Sequence, residues 1–240
     1  MSATLYLLPN RIADGPVDEV LPPATLEVAR RLSHFLAENA KSARAFLKAA
    51  GHPRPMAELS IQEIGHHPDP QQIQGWLAPL RAGEDMAIVS ESGCPGVADP
   101  GASLVAAAHE LGLKVRPLVG PSSLLLTLMA SGLDGQRFRF QGYLPVQADA
   151  LVPAIRAAER DSSAGETQIF IETPYRNDRL FEALLTHCAP STRLTVAIDV
   201  TGPAEFLRTL SIAQWKKAGA PGFEKRPAVF ALLAARRSRG

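Results

Sequence analysis

Met86-Ala-Ile-Val-Ser-Glu-Ser-Gly-Cys-Pro-Gly-Val-Ala-Asp-Pro-Gly101 carries the α/β signal of this chain. Met86 to Val89 is an apolar strand pattern, and the chain restarts as a helix only after Pro100 and Gly101. Glycine permits backbone angles and close approaches that a Cβ forbids, and each proline fixes φ and removes a donor. Gly93, Pro95, Gly96, Pro100 and Gly101 therefore specify a shaped loop at the carboxyl end of a strand, where open α/β sheets bind ligands. The competing reading is an ordinary Gly/Pro-rich turn.

Outward from this loop, strands alternate with helices. Toward the amino end, Thr4 to Leu8 is a strand closed by Pro9, and the spacing of Leu26, Ala29, Leu32 and Phe35 predicts a helix over Thr25 to Phe35. Ala40 to Ala50 is a second helix, ended by Gly51, Pro53 and Pro55. Leu59 to Gly65 is weakly patterned, and Pro70 to Arg81 reads as a helix with Ile73, Leu77 and Leu80 inward. Toward the carboxyl end, a helix over Ala102 to Leu111 precedes a strand at Lys114 to Leu118. These lengths predict a mostly parallel sheet covered on both faces. Gly120 and Pro121 interrupt it, and Ser122 and Ser123 precede an apolar helix. A second unit begins near Arg137, with strands at Phe138 to Gln141, Thr167 to Ile171, Thr192 to Val200 and Ala228 to Ala234. The expected domains are 1–119, a connection and helix at 120–136, and 137–240.

Composition narrows the function classes. The chain has 240 residues, 46% hydrophobic and 20% charged, enough to bury one large core or two moderate ones. Its 25 Lys plus Arg against 24 Asp plus Glu exclude a global polyelectrolyte signature. Cys94 and Cys188 are too few for a disulfide scaffold or thiolate zinc site, and without a signal-peptide pattern the expected location is the cytoplasm. No apolar run is long enough for a membrane span. His66 and His67 lack partners at metal-binding spacing, so no metal is expected. The basic tail Arg236, Arg237 and Arg239 reads as a solvated end.

Four ordered motifs carry a family resemblance: Ser90 to Gly101, Gly120 to Ser123 followed by Ala130 to Leu133, Phe138 to Pro145, and Glu172 to Arg176. Over essentially its whole length the sequence resembles the tetrapyrrole methylase superfamily, most of all the bacterial enzymes that 2′-O-methylate a cytidine of small-subunit ribosomal RNA. The resemblance implies an α/β fold in two domains, a homodimer, and S-adenosyl-L-methionine bound in the interdomain cleft. Carried over residue by residue, Glu91, Ser92, Gly93 and Val97 match the cofactor turn, with Glu91 for an aspartate and Cys94 for a threonine. Pro9 follows the first strand. Ser122 and Ser123 match the interdomain pair, Glu172, Thr173 and Pro174 match the Glu-Ser-Pro turn, and Ala197, Ile198, Ala228, Val229 and Phe230 complete the pocket.

The acceptor side departs from that pattern. Asn39 and Lys41 stand for Asp and Arg of the Ala-Glu-Asp-Thr-Arg run, Tyr175 stands for a histidine, and Ile198 to Gly202 replace Arg-Glu-Leu-Thr-Lys. Glu38, Asp14 and His66 are the candidate proton acceptors. Arg11, Arg44 and Arg176 are candidates for positioning phosphate, with solvated or helix-pairing charges as their alternative use. The acceptor stays open between ribosomal RNA of the small subunit and a small molecule or tetrapyrrole precursor. A non-catalytic cofactor-binding interaction protein is the reading of a different class.

Overall fold

In the computed structural model of the chain, residues 3–235 are described; the basic tail at Arg236, Arg237 and Arg239 lies outside them. The chain divides into two compact units between Ser122 and Ser123.

The first unit runs β1 (Thr4–Leu8), α1 (Pro23–Arg31), β2 (His34–Ala37), α2 (Ala40–Ala49), β3 (Ser60–Glu63), α3 (Ile73–Trp76), α4 (Ala78–Arg81), β4 (Met86–Val89), α5 (Ala102–Glu110) and β5 (Lys114–Pro117). Its five strands form one parallel sheet in the order β3-β2-β4-β1-β5. Tyr6, Leu8, Phe35 and Ala37 face one core with Leu26, Ala29, Phe46 and Leu47. Leu5, Leu36, Met86 and Ile88 face the other with Ile73, Leu77, Leu80 and Leu104. Burial on both faces explains why β4 reads as a continuous apolar run. After β1 the chain moves to β2 on one side, and after β4 it moves to β5 on the other. The carboxyl ends of β1 and β4 are thus a topological switch point, where such sheets open a crevice.

Two helical expectations are corrected. The helix expected to reach Phe35 ends at Arg31, with Leu32 extended at ψ 155°; Phe35 and Leu36, each 1% exposed, are strand residues buried on opposite faces. Sheet pairing wins over helical spacing there. The helix expected over Pro70 to Arg81 is two short helices parted at Leu77 (ψ 3°). Pro79 lacks the N–H that an unbroken helix requires. Ile73, Leu77 and Leu80 are buried as the spacing predicts.

The second unit comprises α6 (Ser123–Ser131), β6 (Phe138–Tyr143), α7 (Ala148–Ser162), β7 (Thr167–Glu172), α8 (Asn177–His187), β8 (Arg193–Ile198), β9 (Phe206–Ser211), α9 (Ile212–Ala218) and β10 (Ala228–Leu233). Its sheet has the order β6-β7-β10-β8-β9, with only the β6–β7 pair parallel. Ile155, Phe170, Phe181, Trp215, Phe223 and Phe230 form the core on one face. The helix expected in the 120–136 connection packs instead as part of this unit, on β8, β9 and β10, where Thr209 Oγ1 donates to Ser131 O at 2.7 Å. No helix among the described residues is long and apolar enough to cross a membrane.

Candidate functional site

The switch point of the first unit is built around Asn10, which directly follows Pro9. Asn10 N donates to Gly93 O at 2.9 Å, and Gly93 N to Asn10 O at 3.2 Å. The buried Asn10 amide donates to Ser90 O at 3.2 Å and Glu91 O at 3.1 Å, while its Oδ1 accepts from Arg11 N at 2.8 Å. One side chain thus pins the loop after β1 to the loop after β4. Gly93 has φ 72°, and a Cβ there would lie 3.2 Å from Ile12 Cγ2 and 3.4 Å from Pro121 O. Gly120 leaves no room either, since a Cβ on it would overlap the Pro9 ring. The Cys94 thiol donates to Pro121 O at 3.4 Å, and burial raises its pKa, so a neutral thiol does the tethering.

The far limb of the loop returns to its start through Asp99. Its Oδ2 accepts from Ser90 Oγ at 2.8 Å. Burial raises the Asp99 carboxyl from 3.8 to about 6; the Ser90 hydrogen bond opposes the rise, and the Glu38 and Glu91 charges add to it. Ala98 beside it is held at φ 56°, a strain of the kind that concentrates at functional sites.

Glu38 comes to this loop because Ala37 pairs in register with Val89. Glu38, Asn39 and Ser42 line one shallow hollow with Ser90 and Glu91. His66 Nδ1 lies 2.9 Å from Glu38 Oε1. Two of the three candidate proton acceptors are therefore one pair. Asp14 is exposed in the loop after β1, with no hydrogen bond to either. Asn39 caps α2, accepting from Lys41 N at 2.9 Å and Ser42 N at 3.1 Å. Among the described residues no cluster of His, Cys, Asp and Glu is arranged to hold a metal.

In the second unit the carried-over residues meet in one row across three strands, with Glu172 opposite Ala228 and Ala228 opposite Ile198. Val229 pairs with Ala197, and these apolar side chains, with Phe230, are buried. Glu172 is only 8% exposed; its Oε1 accepts from Thr173 N at 2.6 Å and from Arg176 Nε at 2.9 Å and Nη2 at 2.5 Å. Arg176 is thus committed to the turn. Arg11 Nη1 similarly donates to Gly15 O at 2.5 Å within its own loop, and Arg44 is exposed on α2. Asp199 (φ 50°) and Thr201 (φ 70°) shape the loop after β8 at the same end of the sheet. Two buried side-chain atoms, Thr127 Oγ1 on α6 and Asn177 Oδ1 behind the Glu172 turn, have no hydrogen-bond partner among the described residues.

In the first unit, the residues not singled out from sequence are Asn10 and Asp99. Asp99 had a signal, an acid inside Ala-Asp-Pro-Gly within the Met86 to Gly101 stretch. Asn10 had only its place two residues beyond a strand.

A family model described as Tetrapyrrole (Corrin/Porphyrin) Methylases matches residues 15–215. Ribosomal RNA small subunit methyltransferase I of Pseudomonas aeruginosa is 29% identical over 215 residues, covering 89% of this chain and 72% of the relative. The protein of that name from Micromonospora olivasterospora is 33% identical over 177 residues, covering 73% and 52%. The chain thus spans from 52% to 72% of the length of these two relatives. The solved structure of the methyltransferase CobJ matches with a TM-score of 0.63 at 20% identity, covering 99% of this chain and 96% of that one; at that identity the likeness speaks for the fold alone. The chain belongs to the tetrapyrrole (corrin/porphyrin) methylase family of S-adenosylmethionine-dependent methyltransferases.

Proposed function

We propose that this protein methylates ribosomal RNA of the small subunit at a cytidine 2′-oxygen, with S-adenosylmethionine as the methyl donor. The residues fit that donor. Gly93 is bare where a side chain would fill the turn, and Glu91 and Ser92 are exposed beside it. In the second unit Glu172, Ala228 and Ile198 stand in register at one end of the sheet, so the turns beyond them are the part of this unit that can meet the adenosine, and Thr127 Oγ1 is a buried polar atom with no hydrogen-bond partner among the described residues. When bound, the cofactor supplies an electrophilic methyl group.

The observation that carries the reading is the Glu38–His66 pair beside the cofactor loop. A 2′-hydroxyl is a weak nucleophile and must lose its proton as the new O–C bond forms. A neutral His66 that donates Nδ1–H to Glu38 keeps its lone pair on Nε2, where a proton can be taken up, and the carboxylate stabilises the resulting imidazolium. Asp14 has no such partner among the described residues. Similarity to relatives named as ribosomal RNA methyltransferases supports the RNA acceptor over a tetrapyrrole precursor. The same resemblance supports a homodimer, to which Leu125 (49% exposed) and Met129 (79% exposed), one turn apart on α6, offer apolar surface.

Radiolabelled methyl transfer to immature small ribosomal subunits, total RNA and a metabolite extract from a deletion strain tests the assignment. Label in the small-subunit RNA, reduced at least a hundredfold by Glu38→Gln and by His66→Ala, is expected. Label only in a metabolite would overturn the acceptor.

A further inference from the structure

Beyond Glu172 the turn presents an aromatic side chain that the cofactor row does not use. Tyr175 is 79% exposed. It is nevertheless rigidly mounted: Arg176 N donates to Thr173 O at 2.9 Å, and the Arg176 guanidinium holds Glu172 immediately before the turn. A ring presented to water on a braced turn has little to gain from packing.

Lys225 stands over one face of it, its Nζ 5.5 Å from the centre of the Tyr175 ring. Its position is built as well. Glu224 (φ 49°) and Lys225 (φ 58°) are consecutive non-glycine residues in the left-handed region, an arrangement of about 1–3 kcal/mol strain each that persists only when the surroundings impose it. They do so here through Arg226, which donates to Ala204 O at 2.7 Å, Gly222 O at 2.9 Å and Phe223 O at 3.3 Å. The fully buried Asn177 closes the brace by donating to Arg226 O at 2.8 Å. Two independent supports therefore set one cation over one face of one ring and leave the ring's other face as the stacking surface of the pair.

Their neighbours discriminate between occupants. Asp178 and Arg179 follow the ring in sequence and are exposed, and Glu224 pairs with Arg226 at 3.6 Å. Pro145 and Val146 line the hollow beside Arg176 and Arg179, but a ring with a cation over it and charged side chains next to it in the chain suits a planar, polar partner with its own charge better than an apolar protein face. Single-stranded RNA has that chemistry, because unstacked bases stack on tyrosine and the adjoining phosphates seek lysine.

We propose that Tyr175 and Lys225 form a landing site for one unstacked nucleotide of the RNA substrate, with the base on the ring and its phosphate at the ammonium. The proposal rests on the RNA acceptor argued above and adds the element that selects an unpaired strand. The histidine of the related motif is replaced here by a larger stacking surface.

The test is fluorescence anisotropy of the full chain with a labelled single-stranded RNA oligonucleotide and with the same sequence as a duplex. Tyr175→Ala should weaken single-strand binding about tenfold and abolish the preference over duplex, while Tyr175→Phe keeps both. Lys225→Ala should lower the slope of log affinity against log salt by about one, and Lys225→Arg should restore it. Unchanged single-strand affinity in Tyr175→Ala, or equal losses in the alanine and phenylalanine variants, would overturn the proposal. If wild-type protein labels small-subunit RNA while Tyr175→Ala binds normally, only the landing site fails. If wild type neither binds nor labels RNA, the acceptor reading fails and the landing site with it.

Discussion

Asp99→Asn is the substitution that most directly tests the electrostatics of the loop. Asp99 is half-buried, accepts a hydrogen bond from Ser90 Oγ at 2.8 Å, and has its carboxyl raised from 3.8 to about 6 by burial and by the Glu38 and Glu91 charges. An acid whose folded pKa exceeds its unfolded value favours the fold while protonated, so this stability is present below about pH 4 and lost as pH rises through about 6. A shift of that size corresponds to ~3 kcal/mol for a fully buried group; contact with water screens it here to about 1 kcal/mol. Asparagine keeps the acceptor for Ser90 and removes the charge. The variant should therefore be more stable than wild type by about 1 kcal/mol at pH 8, a rise in Tm of roughly 2–4 °C if the gain is felt by the whole chain. The gain should fall to about half near pH 5 and vanish below pH 4. Circular-dichroism melts of both proteins across this range provide the assay. A destabilised variant at pH 8, or a gain independent of pH, would mean that the Asp99 charge does not cost the fold stability.

Gly120→Ala should destabilise the first unit by about 1–3 kcal/mol in urea titrations, because its Cβ lands on the rigid Pro9 ring and 3.1 Å from Leu21 Cδ2; an unchanged midpoint would mean that this approach is slack. Asn39→Ala should cost about 1 kcal/mol by removing the cap of α2, with Asn39→Asp restoring it. Arg176→Ala strands the nearly buried Glu172 carboxylate, and since the arginine is partly exposed the loss is about 2 kcal/mol. Cofactor affinity measured by calorimetry should fall with it, so this variant reports on the turn rather than on phosphate capture. Retained stability with weakened RNA binding would instead return Arg176 to the substrate side.

Much of the α/β order was legible because both structural periods were clean. Met86 to Val89 read as an apolar strand, and Thr167 to Ile171 as a strand closed by Glu172, Thr173 and Pro174, one residue short of the observed end of β7. Legibility failed where a local pattern and a tertiary demand disagreed. Phe35 sits at helical spacing behind Leu32, yet the gap between β3 and β4 required a strand and took it. Arg176 reads as a free cation in a sequence, and only folding shows that its charge is spent on a carboxylate four residues earlier.

The ordered motifs, the apolar strands and the Gly/Pro loop are legible in the sequence alone, because these are local properties of composition, period and permitted φ. The folded arrangement of the strands alone brings Glu38 and His66, 28 residues apart, into one pair. It likewise decides that Asn10 ties two loops across 80 residues, that Asp99 closes on Ser90, and that Lys225 stands over Tyr175. Each of these depends on strand order and register. Parallel pairing aligns residues distant in the chain at one end of a sheet, and no spacing along the chain encodes which strand becomes whose neighbour.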